Sequence, residues 1–204
     1  MSQRSWPVTL TDGDVTLRPL RYSDAGRWRD VRRRNVEWLQ EWEATLPPEA
    51  VADGDVAPTF GMMVRRLRKE AREGRTLPWV VSYQGRLVGQ VTVGGIAWGS
   101  LRAGYIGYWI DSEVAGRGII TKAVAMASDY CFDVLHMHRI EINIRPENAA
   151  SLRVVEKLGL RREGDRPAYL HINGQWRDHV TFVANAGDFP DGILNRLRGV
   201  EQRT

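Results

Sequence analysis

Residues 77–111 leave the backbone few choices. LPWVVSY (77–83) and RLVGQVTVGGIAW (86–98) both read with a period of two, and only Gln84-Gly85 separates them. So short a link with glycine second is a hairpin signal. A third apolar run, RAGYIGYWID (102–111), follows after Gly99-Ser100-Leu101. Strands joined this closely lie antiparallel, because a parallel crossover needs about a dozen residues. A doubly wound nucleotide-binding fold, built of repeated strand–helix–strand units, does not match this pattern.

Helical spacing surrounds that core. VTLRPLR (15–21) reads as a first strand. Ser23 or Asp24 can cap a helix over 25–34, and a second helix fits 36–44 with Trp38, Leu39 and Trp42 on one side. Residues 45–58, broken by prolines and an Asp-Gly pair, read as a loop; a helix over 59–73 stops at Gly74. After the three strands a helix fits about 117–134, with Ile120, Val124, Ala127, Cys131 and Val134 near one face. HRIEINIR (138–145) alternates strictly, with Ile140, Ile142 and Ile144 on one side. A helix over 149–158 is capped by Asn148 and stopped by Gly159. A last hairpin, 166–172 and 175–184, turns at Asn173-Gly174. The order is strand, helices, three strands, helix, strand, helix, two strands. It predicts one α+β domain over 1–186 with a mixed, mostly antiparallel sheet flanked by helices, and a weakly patterned tail over 187–204.

Lysine and arginine number 29 against 25 acidic residues, a net charge of +4, and nearly all the positive charge is arginine. The planar guanidinium suits carboxylates and phosphates. Runs such as Arg32-Arg33-Arg34 leave a phosphate ligand, a nucleic-acid surface and plain solubility open. Cys131 is the only cysteine, so no intramolecular disulfide and no CxxC metal site can form. His136 and His138 have no cysteine or carboxylate cluster beside them, and no metal is expected. There is no signal-like N-terminal stretch and no long apolar run, so the expectation is a soluble cytoplasmic protein without membrane contact.

VAGRGIITKAV (114–124) lies between the end of a strand and the start of a helix. The first amides of a helix have no partner within it, and its dipole is positive at that end. Such a turn suits an anion, and a pyrophosphate is the natural candidate. It is neither a P-loop, which needs Gly-Lys-Ser/Thr, nor the dinucleotide fingerprint, which needs three spaced glycines and a later acidic residue. On its own the motif could equally be a tight structural turn.

Four stretches taken together say more. YIGYWIDSEVAGRGIITKAV (105–124) and RPENAASLRVVEKLG (145–159), with NVEWLQEW (35–42) and YLHINGQWRDHVTF (169–182), resemble the GNAT family of N-acetyltransferases. The resemblance is to its ribosomal-protein N-terminal acetyltransferase branch and covers about residues 12–186. It implies the GNAT acyl-CoA N-acyltransferase fold, with acetyl-CoA held between two splayed strands. By that resemblance the pantetheine arm pairs with the backbone of Tyr108, Trp109 and Ile110. The pyrophosphate rests on the amides of Gly116, Arg117, Gly118, Ile119, Ile120 and Thr121. Asn148 reaches the pantetheine or only caps its helix. Ala115 stands where the family usually has Gln or Arg, and Leu160 where it has Phe; neither removes an amide donor.

The implied reaction is direct attack of a primary amine on the thioester, giving coenzyme A as product. An α-amine titrates near 8 and lysine near 10.4, so neutralising lysine at pH 7 costs roughly 3 kcal/mol more. An N-terminal α-amine is therefore the expected acceptor, and the resemblance implies that of a ribosomal protein. Glu141 is the candidate base, beside Asn143, where many relatives carry glutamate. Ser151 is the candidate hydrogen-bond donor to the leaving thiolate, since the position of the relatives' tyrosine is Val155. Trp38, Leu39, Trp42 and Tyr169 would flank the acceptor cleft. Two alternatives stay open. One is a small-molecule amine acetyltransferase acting on an antibiotic, polyamine or amino acid. The other is a non-catalytic acyl-CoA-binding or RNA-associated module. Nucleic acid is otherwise expected only indirectly, through a ribosomal target, and the assembly as monomer or homodimer.

Overall fold

The structure is a computed structural model that describes residues 6–201. Its strands are β1 (Leu10–Asp12), β2 (Val15–Pro19), β3 (Leu77–Tyr83), β4 (Arg86–Ala97), β5 (Ala103–Ile110), β6 (Arg139–Ile144), β7 (Arg161–Ile172) and β8 (Gln175–Asn185). Its helices are α1 (Ala25–Arg34), α2 (Val36–Gln40), α3 (Pro48–Ala52), α4 (Phe60–Arg72), α5 (Ile119–Asp129), α6 (Ala149–Leu158) and α7 (Ile193–Glu201). The strands form one sheet in the order β1-β2-β3-β4-β5-β6-β8-β7. Only β5 and β6 run parallel; every other neighbouring pair is antiparallel.

Local chemistry explains why these elements form. Gln84 and Gly85 have φ of 49° and 76°, and Asn173 and Gly174 have 47° and 80°. Left-handed backbone at both central positions gives a turn whose twist matches that of the strands it joins. Asn148 accepts from the Ser151 amide at 3.0 Å and so caps α6, and Gly159, with φ of 73°, ends it. Along β3, Trp79 and Val81 join the larger core under α5, α6 and α7, while Val80 joins a second core with Val31 of α1 and Val64 of α4. The period of two thus sends alternate residues to helices on opposite faces.

Several expectations need correction. The helix expected over 36–44 stops at Gln40, because the backbone beyond it pairs with the β7–β8 hairpin. Ala44 bridges Ile172, Thr45 N donates to His171 O at 3.0 Å, and Asn173 N donates to Glu43 O at 3.0 Å. The loop over 45–58 contains the short α3. The helix expected over 117–134 hands over to a π-helical turn at Tyr130–Val134. The extra residue in that turn rotates the register, and Val134 ends 51% exposed rather than on the buried face. The segment 187–204 is not a loose appendage over its described part. Ile193 and Leu197 of α7 are buried in the main core, and Asp129 of α5 accepts from the amides of Ile193 (2.7 Å) and Leu194 (3.0 Å).

One feature of the sheet positions the site. β5 and β6 pair only at Ala103↔Arg139, Gly104↔Ile140 and Tyr105↔Glu141. Beyond Tyr105 the two strands part, while β6 stays paired with β8 through Ile144. A V-shaped opening is left in the middle of the sheet.

Candidate active site

At the mouth of the opening, β5 runs into the phosphate-type turn. Gly116 and Gly118 have φ of 78° and 75°, a backbone that other residues rarely adopt. A Cβ on Gly116 would meet no heavy atom within 4 Å, so that glycine serves backbone shape and open approach, not internal packing. The first bond within α5 runs from Lys122 N to Gly118 O at 2.9 Å. The amides of Ile119, Ile120 and Thr121 therefore have no acceptor inside the helix. Arg117 is exposed and donates from Nη2 to Glu113 O at 3.2 Å.

The turn is held from below by a buried carboxylate. Asp111 accepts from Arg34 and from Asn35 Nδ2 (2.8 Å), and Asn35 Oδ1 accepts from Ser112 N at 2.9 Å. Burial alone would raise the Asp111 carboxyl, but Arg34, Asn35 and the Glu113 amide outweigh it and hold it below the usual carboxylate range. The α1–α2 corner and the turn are thereby one unit. Trp38 adds a second tie: its Nε1 donates to Ile110 O at 3.1 Å.

The ladder between β4 and β5 decides which backbone groups face the opening. Asp111 N donates to Val88 O at 2.7 Å, with Gly89 opposite Ile110 and Gln90 opposite Trp109. In an antiparallel ladder alternate residues turn both backbone groups to the partner strand. Trp109 and Gly107 thus turn to β4, while Tyr108 and Ile110 turn to the opening. Trp109 is not a backbone contact there, as the motif had implied. Its ring packs on the other face, 6.3 Å from Trp28.

The opening holds a cavity of about 210 Å³, bordered by Trp42, Tyr108, Asn143, Asn148, Ser151 and His179 among others. The Tyr108 hydroxyl reaches Ser151 O at 3.5 Å, and burial pushes its pKa up to about 12. The Ser151 side chain borders the cavity, while the Asn148 side-chain oxygen serves as helix cap. Trp42 lies under the Arg145 guanidinium, 4.9 Å from its carbon. Leu39 is buried and Trp38 is 43% exposed, and neither borders the cavity. Tyr169 stands behind His179, ring edge to ring at 5.5 Å, with Arg166 over its face at 4.7 Å.

Glu141 does not fit the role of base. Its Oε1 accepts from Arg139 Nε at 3.0 Å and its Oε2 from Arg166 Nη2 at 2.7 Å. It also sits at the closed end of the split, opposite Tyr105, and does not border the cavity. Neighbouring Asn143 does, and accepts from Thr181 Oγ1 at 2.7 Å. Arg145 and His179 escaped the sequence reading. Arg145 is 7% exposed and donates to Glu41 O at 2.8 Å; His179 is 5% exposed. The signal for His179 was the Trp176-x-Asp178 motif that it directly follows. A second depression, about 360 Å³, lies across β5 between α4 and β4, and Gly107 and Tyr108 border both.

A sheet split between two parallel strands, with a glycine-capped helix start at its mouth, defines the acyl-CoA-dependent N-acyltransferase class. The model of the Acetyltransferase (GNAT) domain matches residues 14–161, and the chain belongs to this family. Over 175 residues it is 42% identical to the probable N-acetyltransferase YjcK of Bacillus subtilis, covering 85% of this chain and 96% of that one. It is 28% identical over 187 residues to the ribosomal protein uS5 alanine N-acetyltransferase of Escherichia coli, covering 91% and 94%. It is also similar to the solved structure of Mycobacterium smegmatis RimJ in complex with CoA-disulfide. There the TM-score is 0.89 and the identity 38%, with 97% and 96% covered.

The chain is accordingly an acetyl-CoA-dependent N-acetyltransferase. Its own residues fit that substrate: free amides at the start of α5 for the phosphates, and the backbone of Tyr108 and Ile110 for an extended arm. Among the described residues no helix is long and apolar enough to cross a membrane.

Proposed function

We propose that the acceptor is the N-terminal α-amine of a protein, and that a ribosomal protein is the natural target. The observation that carries this reading is the lining of the cavity, which among the described residues includes Arg145 and no aspartate or glutamate. A polyamine or a lysine side chain would arrive as a cation and need a carboxylate to receive it. An α-amine, titrating near 8, gives up its proton at pH 7 for only about 1.4 kcal/mol, against nearly 5 kcal/mol for lysine, and so depends least on such a carboxylate. The aromatic wall at Trp42 suits a short apolar first side chain. The uS5 alanine acetyltransferase supports the same class of acceptor.

Bound acetyl-CoA supplies a thioester carbon open to attack by a neutral amine. The chain's residues do the rest by position. The Ile110 amide, turned to the opening, can donate to the carbonyl oxygen as negative charge develops there. The Ser151 hydroxyl and the Tyr108 hydroxyl are the two O–H donors close to the α6 end of the cavity. Tyr108 keeps its proton across the working range and can turn it from Ser151 O to the leaving sulfur.

The test is thiol release from acetyl-CoA with peptides that differ only in their first residue, alongside N-terminally blocked peptides containing lysine, and spermidine. Release confined to free N-termini, fastest with small first residues such as alanine or serine, is expected. Equal release with blocked lysine peptides or spermidine overturns the reading.

A further inference from the structure

We propose that His179 is the catalytic base that takes the proton from the attacking amine. The inference rests on the acetyl-transfer reading of this cavity, but not on which amine is used.

The argument starts from the strand that carries it. His179 pairs with Arg166 across β7–β8, beside a break in register between Arg166 and Leu170. In that break Ala168 has φ of 45° and its amide donates to Asp178 Oδ1 at 2.7 Å. The bulge re-aims the chain around His179, as bulges near functional sites do. The ring is 5% exposed, yet it borders the cavity that also holds Tyr108 and Ser151.

Its tautomer follows from its partner. His179 Nδ1 lies 3.0 Å from Arg177 O. A carbonyl only accepts, so Nδ1 carries the hydrogen and a neutral ring presents its lone pair at Nε2. Among the described residues nothing donates to Nε2. The ring is thus a hydrogen-bond-anchored imidazole with its basic nitrogen unengaged.

The charges around it favour that neutral form. Burial lowers its pKa below the usual histidine value; the Arg177 carbonyl pulls it back up. Arg145, from the β6–α6 connection, lowers it further, while Glu147 on that connection and Asp178 on β8 raise it. From β7 it meets the edge of the Tyr169 ring. The other polar groups bordering the cavity serve less well as proton acceptors. Tyr108 holds its own proton, Arg145 is a cation, and Ser151 and Asn148 are not bases near neutrality. Glu141 is committed to two arginines.

The step balances without any further reactant. The amine lone pair forms the new C–N bond as the C–S bond breaks and sulfur departs as thiolate. The surplus amine proton passes to Nε2 while Nδ1–H stays on Arg177 O. The imidazolium then gives that proton to the thiolate, which restores neutral imidazole and yields free coenzyme A thiol.

The test compares wild type with His179→Gln and His179→Ala on a peptide with a free N-terminal alanine. Should the wild type prefer another amine from the panel above, that amine is used instead, so failure of the peptide reading is seen separately. The expected result is a fall in kcat/KM of at least about 100-fold, with acetyl-CoA affinity within about twofold of wild type. Wild type should lose activity through two ionisations on the acid side. One is that of the amine. The other, below the usual histidine value, should vanish in both variants. Added imidazole should partly restore His179→Ala. A kcat/KM within threefold of wild type, a second ionisation that persists, or a fall matched by lost acetyl-CoA affinity overturns the assignment. If the variants do not fold, the imidazole titration of His179 followed by NMR in wild type decides. It must match the second ionisation in the rate profile, and a mismatch overturns the assignment.

Discussion

On the α5 side of the split, the groups that fit acetyl-CoA are backbone amides: Ile119, Ile120 and Thr121 at the helix start, Tyr108 and Ile110 along β5. On the hairpin side, the groups bordering the cavity are side chains from separate parts of the chain: Trp42 after α2, Asn143 and Arg145 on and after β6, His179 on β8. The backbone half depends on shape, so Ala115 and Leu160 can depart from the family pattern without removing a donor. The side-chain half depends on identity, and each of its members can be changed singly. Cofactor use should therefore be robust to substitution and acceptor choice sensitive to it.

Gly118→Glu attacks the backbone half where shape is strictest. It places a side chain at φ of 75° and a negative charge beside the phosphates. Acetyl-CoA affinity should fall by about 100-fold or more, near 3 kcal/mol, by calorimetry. Retained affinity would break the division at its root. Asp111→Ala attacks the support beneath that half. It leaves Arg34 and Asn35 without their buried partner and should cost about 3 kcal/mol in urea unfolding. The Asp111 carboxyl is held below its unfolded value, so its contribution is fully present above the usual carboxylate pKa. It is lost as pH falls through the lowered one. The stability gap between wild type and variant should be widest at neutral pH and close in acid. Trp42→Ala belongs to the other half. It should raise the acceptor KM by about tenfold, near 1.4 kcal/mol, with acetyl-CoA affinity unchanged. A matching loss of acetyl-CoA affinity would show that the halves are not separable. Glu141→Gln should do least: kcat/KM within about twofold, and stability lowered by under about 1 kcal/mol, since its ion pairs are partly solvated. A large loss of turnover would return Glu141 to the chemistry.

What could be read in the sequence follows the same division. Asn148, Gly159, Gln84-Gly85 and the Gly116–Gly118 turn act on their immediate neighbours, and their effect is legible locally. The partners of Glu141 are not. Arg139 lies two residues away, but Arg166 arrives from β7 only once the sheet has formed. The backbone direction of Trp109 depends on its register with β4, and the place of His179 on a cavity walled by the segment after α2 and by α6. α7 was missed because two buried residues, Ile193 and Leu197, are enough to dock it, too few to mark a helix by spacing.

That last helix has a consequence for the phosphate turn at the other end of α5. Asp129, at the end of α5, receives the first amides of α7, and Ile193 and Leu197 complete the packing around α5. The helix whose first amides face the turn is thus braced at its far end. A change that unseats α7 should therefore loosen the anion-binding end of α5 without touching a residue of the turn.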